Sequence, residues 1–167
     1  IGQSDNNYTT VALSRYVTAV ASGKKYNYQL MDRIVDASGK TVKKYKADYE
    51  DISDTLTDSQ WDALHSGMRQ VVSTMDRFQG FDIPVAGKTG TAQQTGHANH
   101  GLFIGYAPYD DPEITIAVRI ANGYSSHNAA TAARNVISYY YKETSMKDIK
   151  EMKAAGVNGN TRNSVAD

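Results

Sequence analysis

Three apolar segments, separated by turn-forming residues, constrain the fold of this chain more than any other feature. They occupy residues 85–93, 101–107 and 113–121. The second segment is apolar on both faces, as expected of a central strand. In the third, apolar side chains alternate with other residues from Ile114 to Ile120, which is typical of a strand with one buried face. The turn-forming connection at 108–112 predicts that these two strands are antiparallel neighbours.

Helical patterns lie on both sides of these segments. Helices are predicted over residues 9–21, 57–75 and 127–142, and a charged strand pair that turns at 36–39 is predicted over 29–49. At the start of the middle helix, Thr57 and Gln60 form a capping-box pattern. An apolar stripe then runs from Trp61 to Met75 at spacings of three and four, which is typical of a helix face packed into a core. His65 is predicted at the surface of this helix.

The other two helices carry apolar stripes of their own. In the first, the residues predicted to share one face are Leu13, Tyr16, Val17 and Val20, with Gly23 as the stop. In the last, the residues predicted to be buried are Ala129, Ala133, Val136, Ile137 and Tyr140, with Ser125 or Ser126 as the cap. The alanines would let this helix lie close against a sheet. The elements together predict an α/β fold in which an antiparallel sheet is packed by helices.

Composition excludes several classes of function. The 18 basic and 18 acidic residues give zero formal charge, which offers no support for a nucleic-acid partner. The absence of cysteine rules out disulfides and thiolate metal sites. No apolar run is long enough to span a bilayer, and no signal-like segment opens the chain. Because the first residue is Ile1 rather than methionine, we expect the chain to begin inside a longer protein whose anchor lies upstream.

The run Lys88-Thr89-Gly90-Thr91, on the first predicted strand, carries the most chemical information. A lysine ammonium supplies positive potential for a substrate carboxylate, and neighbouring hydroxyls can hydrogen-bond that carboxylate. A glycine without a side chain allows an extended peptide to lie along the strand edge, and a backbone N–H can complete an oxyanion hole. Short motifs of this kind also occur by chance. The two strands and the helix that follow it favour the functional interpretation.

Several stretches of the chain resemble class B penicillin-binding proteins. Residues 86–93 are similar to the third active-site motif of that family with its usual flanks, and residues 100–108 are similar to the strand that follows. Residues 1–3, followed by 8–13, resemble the family's Gly-Gln-Gly segment and the helix after it, although Ser4 replaces the second glycine. Thr10 also stands where the family often has a proline. The spacing and the final helix are most similar to elongation-type members.

The resemblance implies a partial serine beta-lactamase/transpeptidase-like fold that lacks the segment with the nucleophile. Residues 1–142 would form the carboxyl-terminal part of the transpeptidase domain, and 143–167 a polar C-terminal extension or tail. Within it, the polar composition of 156–167 predicts a loose tail. The parent would cross-link peptidoglycan stem peptides and bind beta-lactams. In it, Lys88 would shape the field around the nucleophile, Thr89 and Thr91 would bind the carboxylate along the Gly90 edge, and the Thr91 N–H would serve the oxyanion. It would act without a cofactor at the extracytoplasmic face of the membrane, in company with cell-elongation proteins.

Three literal matches to the missing motifs are interpreted as decoys. Ser22-Gly23-Lys24-Lys25 fits Ser-x-x-Lys but lies at a helix end, where no backbone N–H groups could help an oxyanion. Ser4-Asp5-Asn6 fits Ser-x-Asn but aligns with the Gly-Gln-Gly segment, so its catalytic reading stays the weaker one. Ser126-His127-Asn128 follows the third motif and is interpreted as a helix cap. The true motifs are expected upstream, and the chain alone is predicted to be inactive.

Other interpretations stay open at this point. The parent could be a beta-lactamase or a penicillin-sensing protein, or the chain could be a structural or interaction module that lies against a missing upstream half. His97 and His100 could hold a metal ion, but no third ligand is evident nearby. We therefore predict no metal site and place both histidines in a polar loop that leads into the next strand.

Overall fold

In the computed structural model, which describes residues 7–151, a three-stranded antiparallel sheet lies between helices. The helices are α1 (Thr10–Ser22), α2 (Asp58–Ser73), α3 (Ser126–Tyr140) and α4 (Met146–Glu151). The strands are β1 (Lys24–Tyr26), β2 (Arg33–Val35), β3 (Thr41–Lys44), β4 (Tyr49–Asp51), β5 (Ala86–Gln94), β6 (His97–Ala107) and β7 (Ile114–Ile120). The sheet has the order β5-β6-β7, which confirms the predicted central strand and its antiparallel neighbour.

The strand register divides the sheet residues between two faces. Phe103 on β6 lies opposite Thr89 and Val118, and this face packs against α3. The next residue, Ile104, lies opposite Lys88 and turns to the other face, where α1 and α2 pack. Because side chains alternate along a strand, the Lys88-Thr91 run presents side chains to both faces of the sheet.

Two apolar clusters, one for each face, hold the layers together. The larger cluster joins α3 to the sheet and includes Phe103, Ala129, Ala130, Ala133 and Ile137, each fully buried. The smaller joins α1 and α2 to the opposite face and includes Val17, Val20, Met68, Ala86 and Tyr106. Burial of these side chains removes apolar surface from water, which is the main favourable contribution to folding.

Small residues set the distance between α3 and the sheet. Alanines form the buried face of α3, as the sequence predicted, and Gly101 faces the start of the helix. A Cβ built on Gly101 would lie 2.3 Å from the Ser125 carbonyl oxygen, closer than any real contact. The backbone of β6 therefore touches the backbone at the start of α3, and only glycine fits at Gly101.

The caps predicted at three helix ends are confirmed, although α2 and α3 each end two residues before the predicted position. Gly23 ends α1 with a φ of 65°, in the left-handed region. The capping box at the start of α2 is present, and the Gln60 side chain accepts from the Thr57 N–H at 2.9 Å. Ser125 is the N-cap of α3, and its hydroxyl accepts from the His127 N–H at 3.1 Å. In the sequence these ends could be found because they depend on local chemistry.

Residues 24–51 form a two-stranded arm that leaves the body of the fold after α1. At its base β1 pairs with β4, and at its far end β2 pairs with β3 around the turn at 36–39. The strand pair predicted for 29–49 is thereby confirmed. The far strands are exposed along their whole length, including Val42 at 68%. The arm thus contributes little to the cores described above.

Three side chains predicted to share buried faces are exposed: Tyr16 at 57%, Val136 at 48% and Tyr140 at 51%. The residues of α3 that meet the sheet are Ala129, Ala130, Ala133 and Ile137, whereas Val136 and Tyr140 lie toward one margin of this face. They border an open apolar cavity beside Ile114 instead, while Tyr141 packs against the core. The spacing of apolar residues alone therefore does not predict whether a residue at the margin of a helix face is buried.

Two predictions about histidines are also wrong. His65 is half-buried, because its Nε2 lies 2.9 Å from the Val20 carbonyl oxygen and its ring packs against Tyr106. His97 and His100 lie within β6, which begins at His97, and not in a loop. The polar side chains around His97 and His100 led to the prediction of a loop, although this segment is a strand that pairs with the end of β5.

The predicted domain boundary at 142 remains a prediction. The short helix α4 follows it, and the tail predicted for 156–167 lies outside the described residues, as does Ser4-Asp5-Asn6. Within residues 7–151, no helix combines the length and apolar character that a membrane crossing requires.

Candidate functional site

The Lys88-Thr91 run lies at the edge of the sheet, on β5. Within residues 7–151, β5 has one strand neighbour, β6, so its other edge is open to a further extended chain. Edge strands with open backbone groups bind peptides by adding them as an extra strand. The sequence-predicted site residues therefore occupy a position from which such binding is possible.

The Lys88 side chain lies exposed beside the backbone of its own strand. Its Nζ donates to the Thr89 carbonyl oxygen at 2.9 Å and lies 3.5 Å from the Thr89 Oγ1. In an antiparallel ladder the N–H and C=O of one residue point to the same side, and this side alternates along the strand. The contact from Lys88 indicates that the Thr89 backbone faces the open edge, and the alternation gives Thr91 the same direction.

Close packing of glycines and of the start of α3 fixes the position of the Lys88-Thr91 run. Thr91 lies opposite Gly101, the glycine whose backbone touches Ser125. Gly87 is equally tight, since a Cβ there would lie 2.6 Å from the Ile104 carbonyl oxygen. At Gly90, by contrast, a Cβ would meet Leu102 at an ordinary 3.5 Å. Packing thus explains the glycines at 87 and 101 but not the glycine within the run.

A polar cluster lies at the end of β5, beyond Thr91. The His100 imidazole is at its centre, and its Nδ1 accepts from the Asn122 N–H at 3.0 Å. Its Nε2 lies 2.8 Å from a guanidinium nitrogen of Arg119, and the Gln94 side-chain nitrogen lies within 2.8 Å of both ring nitrogens. Burial, with the Arg119 charge as a second cause, lowers the pKa of His100. Sequence reasoning missed this cluster because its members are brought together only by the strand register.

The remaining sequence candidates do not join the site. Ser22 is the last residue of α1, a helix that packs on β7 and β6, and its hydroxyl donates to the Thr18 carbonyl oxygen at 2.7 Å. The decoy interpretation of Ser22 is therefore supported by its position. Within residues 7–151, no group of three or more histidine, aspartate or glutamate side chains is arranged to hold a metal ion.

An apolar groove of about 710 Å³ lies elsewhere, between α1, the base of the arm and the start of α2. The residues that line it include Leu13, Tyr16, Ile52, Trp61 and Leu64. It accounts for the exposure of Tyr16, and none of the residues of the Lys88-Thr91 run lines it.

Comparisons with known proteins agree on one family. The family model that describes the penicillin binding protein transpeptidase domain matches residues 1–138. Among curated relatives, the peptidoglycan D,D-transpeptidase MrdA of Haemophilus influenzae is 29% identical over 166 residues, which covers 86% of this chain and 25% of the relative.

Solved structures show the same fold. The crystal structure of Pseudomonas aeruginosa PBP2 has a TM-score of 0.64 at 30% identity and covers 80% of this chain and 30% of that chain. Penicillin-binding protein A of M. tuberculosis, solved as an imipenem acyl-enzyme complex, has a TM-score of 0.72 at 23% identity, with 83% and 32% covered. The predicted fold class is confirmed, and the chain spans about a quarter of the curated relative and a third of the solved chains.

Proposed function

Because the chain belongs to the penicillin-binding protein transpeptidase family, we propose that it is the carboxyl-terminal part of a peptidoglycan D,D-transpeptidase that forms an acyl-serine. The observation that carries this proposal is the Lys88-Thr91 run on an open sheet edge. A stem peptide would lie along β5 as an added strand. A serine outside this chain would attack the penultimate D-alanine carbonyl and release the terminal D-alanine, and an amine of a second stem peptide would then take the acyl group.

Each residue of the run has a distinct part in this proposal. Lys88 supplies positive charge near the nucleophile and the substrate carboxylate, from a side chain that is exposed at the edge. The hydroxyls of Thr89 and Thr91 bind the carboxylate. The Thr91 N–H, directed to the open edge by the alternation described above, donates to the oxyanion that forms at the attacked carbonyl.

The decisive experiment compares this chain with the intact protein that contains it. We expect fluorescent penicillin to label the intact protein covalently and in stoichiometric amount, because beta-lactams acylate the same serine as the stem peptide. We expect the 167-residue chain alone to remain unlabelled, since the nucleophile is proposed to lie upstream. Stoichiometric labelling of the isolated chain would refute the proposed position of the nucleophile, and absence of labelling in the intact protein would refute the function. The rate at which label is lost separates a transpeptidase, which deacylates slowly, from a beta-lactamase.

Gly90→Ala in the intact protein is expected to lower acylation without unfolding the domain. A Cβ at this position fits beside Leu102, so we expect the free energy of unfolding to change by less than about 1 kcal/mol. A methyl group beside the bound ligand would crowd its close approach to the strand, and we expect roughly a tenfold slower acylation. The measurement is the second-order rate constant with a fluorescent penicillin.

The matched control is Gly67→Ala, because Gly67 is exposed on α2 and a Cβ there meets nothing within 4 Å. Acylation by that variant should equal that of the wild type. A wild-type rate for Gly90→Ala would mean that the glycine is not needed for ligand approach.

The cellular setting of the intact protein is part of the same proposal. Cross-linking of stem peptides takes place outside the cytoplasmic membrane, so the domain would act at the extracytoplasmic face, held there by an upstream anchor. The motif spacing and the final helix resemble those of the elongation-type subclass, and this resemblance favours a function together with cell-elongation proteins. Labelling of intact cells with a membrane-impermeant beta-lactam would test the location.

A further inference from the structure

The structure assigns His100 a role as a positioning residue for the substrate strand, an inference that rests on the function proposed above. His100 lies opposite Ala92, one step beyond the pair formed by Thr91 and Gly101. It shares a sheet face with Lys88, four residues away along the ladder, a separation of about 13 Å. It would therefore not touch the reacting atoms, and it would act through the strand that presents Thr91.

The imidazole joins three elements that meet at the end of the site. Gln94 reaches it from the end of β5, Arg119 from β7, and the Asn122 N–H from the turn that leads to α3. The Gln94 side chain also donates to the Asn122 Oδ1 at 3.3 Å. A single ring thus connects the end of β5 to the turn before the helix whose start supports Gly101.

The contact matters because the ladder is irregular at this point. The register of β5 and β6 shifts between Ala92 and Gln94, so regular backbone pairing does not by itself hold the end of β5. The hydrogen bonds from Gln94 to Asn122 and from Asn122 to His100 supply the missing constraint. A displacement of the strand end by a few tenths of an ångström would move the Thr91 N–H away from the oxyanion, to which catalysis is sensitive.

The arrangement also requires a neutral ring. The Asn122 N–H is an obligatory donor and it faces Nδ1, so this nitrogen must keep its lone pair, and the one proton of the neutral ring lies on Nε2. A proton on both nitrogens would remove the last acceptor and place two cations side by side. The charged group in contact with the ring is Arg119, whereas Gln94 and Asn122 carry no titratable side chain. His97, which is in register with Gln94, is a further titratable residue at this end of the β5-β6 pair. Below the lowered pKa of His100, the proton would release the network.

The test separates positioning from binding and from stability in the intact protein. Acylation by a chromogenic cephalosporin gives the acylation rate constant and the dissociation constant of the first complex. We expect His100→Ala to lower the acylation rate constant about tenfold, with the dissociation constant changed less than about twofold. His100→Gln, whose amide can accept and donate at similar positions, should recover most of the loss.

The pH profile provides a readout that a purely structural residue would not change. Burial of the ring remains in Arg119→Gln, but loss of the neighbouring charge lets the pKa of His100 rise, so the acid limb of the acylation rate should move to higher pH. The matched control is Arg33→Gln on the exposed arm, which should leave the profile unchanged. The acid limb of the double variant His100→Gln, Arg119→Gln should match that of His100→Gln alone.

Several outcomes would overturn the inference. A wild-type acylation rate constant for His100→Ala would do so, as would a His100→Ala variant in which only the dissociation constant changes. A slower acylation that parallels a lower melting temperature in both His100 variants would indicate a purely structural role. An acid limb that stays at the same pH in Arg119→Gln would also contradict the inference. If the wild-type protein is not acylated at all, the proposed function fails and this inference fails with it. An NMR titration of the His100 ring identifies the cause, because the lowered pKa and its rise in Arg119→Gln do not depend on acylation.

Discussion

Replacement of Lys88 by alanine in the intact protein should slow acylation by penicillin about 100-fold, a loss of about 2.7 kcal/mol of transition-state stabilisation. The ammonium group is the positive charge on the open edge of β5, beside the Thr89 carbonyl and hydroxyl. Without it, neither the substrate carboxylate nor the nucleophile would have this cation close by. The side chain is exposed, so the fold should be unaffected.

Lys43→Ala is a suitable control for this experiment, because Lys43 is an exposed lysine on the arm whose ammonium group lies over the Tyr45 ring. Both variants should unfold at the wild-type temperature, and only Lys88→Ala should lose acylation. Lys88→Arg keeps the charge but changes its shape, so partial activity there would separate the contribution of charge from that of geometry. A wild-type acylation rate for Lys88→Ala would refute the proposed role of Lys88.

Gly101→Ala should destabilise the domain by about 3 kcal/mol, since the new methyl group would lie 2.3 Å from the Ser125 carbonyl oxygen. Backbone cannot move aside as a flexible side chain can, so the start of α3 must shift away from β6. Denaturant unfolding of the intact protein, followed by circular dichroism, measures the change. Because Gly101 lies opposite Thr91, the remaining folded protein should also acylate more slowly.

Gly67→Ala makes the same chemical change but should raise the free energy of unfolding instead of lowering it. Gly67 lies within α2 and is exposed, so alanine there should stabilise the helix by about 0.5–1 kcal/mol through its better helix propensity. Equal stability of Gly101→Ala and the wild type would show that α3 does not lie as close to the sheet as described.

Local chemistry made much of the fold predictable from the sequence. The strand after the Pro108–Pro112 turn, the capping box at Thr57 and the stop at Gly23 each depend on residues within a few positions of one another. The exposure of Tyr140 could not be predicted in the same way. It depends on where α3 meets the sheet, and this line of contact is set by distant residues such as Gly101.

The candidate site likewise has one part that could be predicted from local sequence and one part that could not. The Lys88-Thr91 run is contiguous, so its chemistry could be recognised in the sequence and its strand could be predicted. The cluster around His100 is assembled from three strands and the turn that follows the last of them, and its residues span positions 94 to 122. Only the register of the sheet brings Gln94, Arg119 and Asn122 to one ring, and no spacing in the sequence reveals that register.

The exposed arm has a practical consequence for work in living cells. Its far turn, at Ser38 and Gly39, extends away from both cores, and the far strands β2 and β3 pair with each other and are exposed. An insertion there would cost mainly the entropy of a longer loop, which grows slowly with length. A fluorescent reporter placed between Ser38 and Gly39 would therefore allow the intact protein to be followed by microscopy with both of its termini native and β5 unchanged.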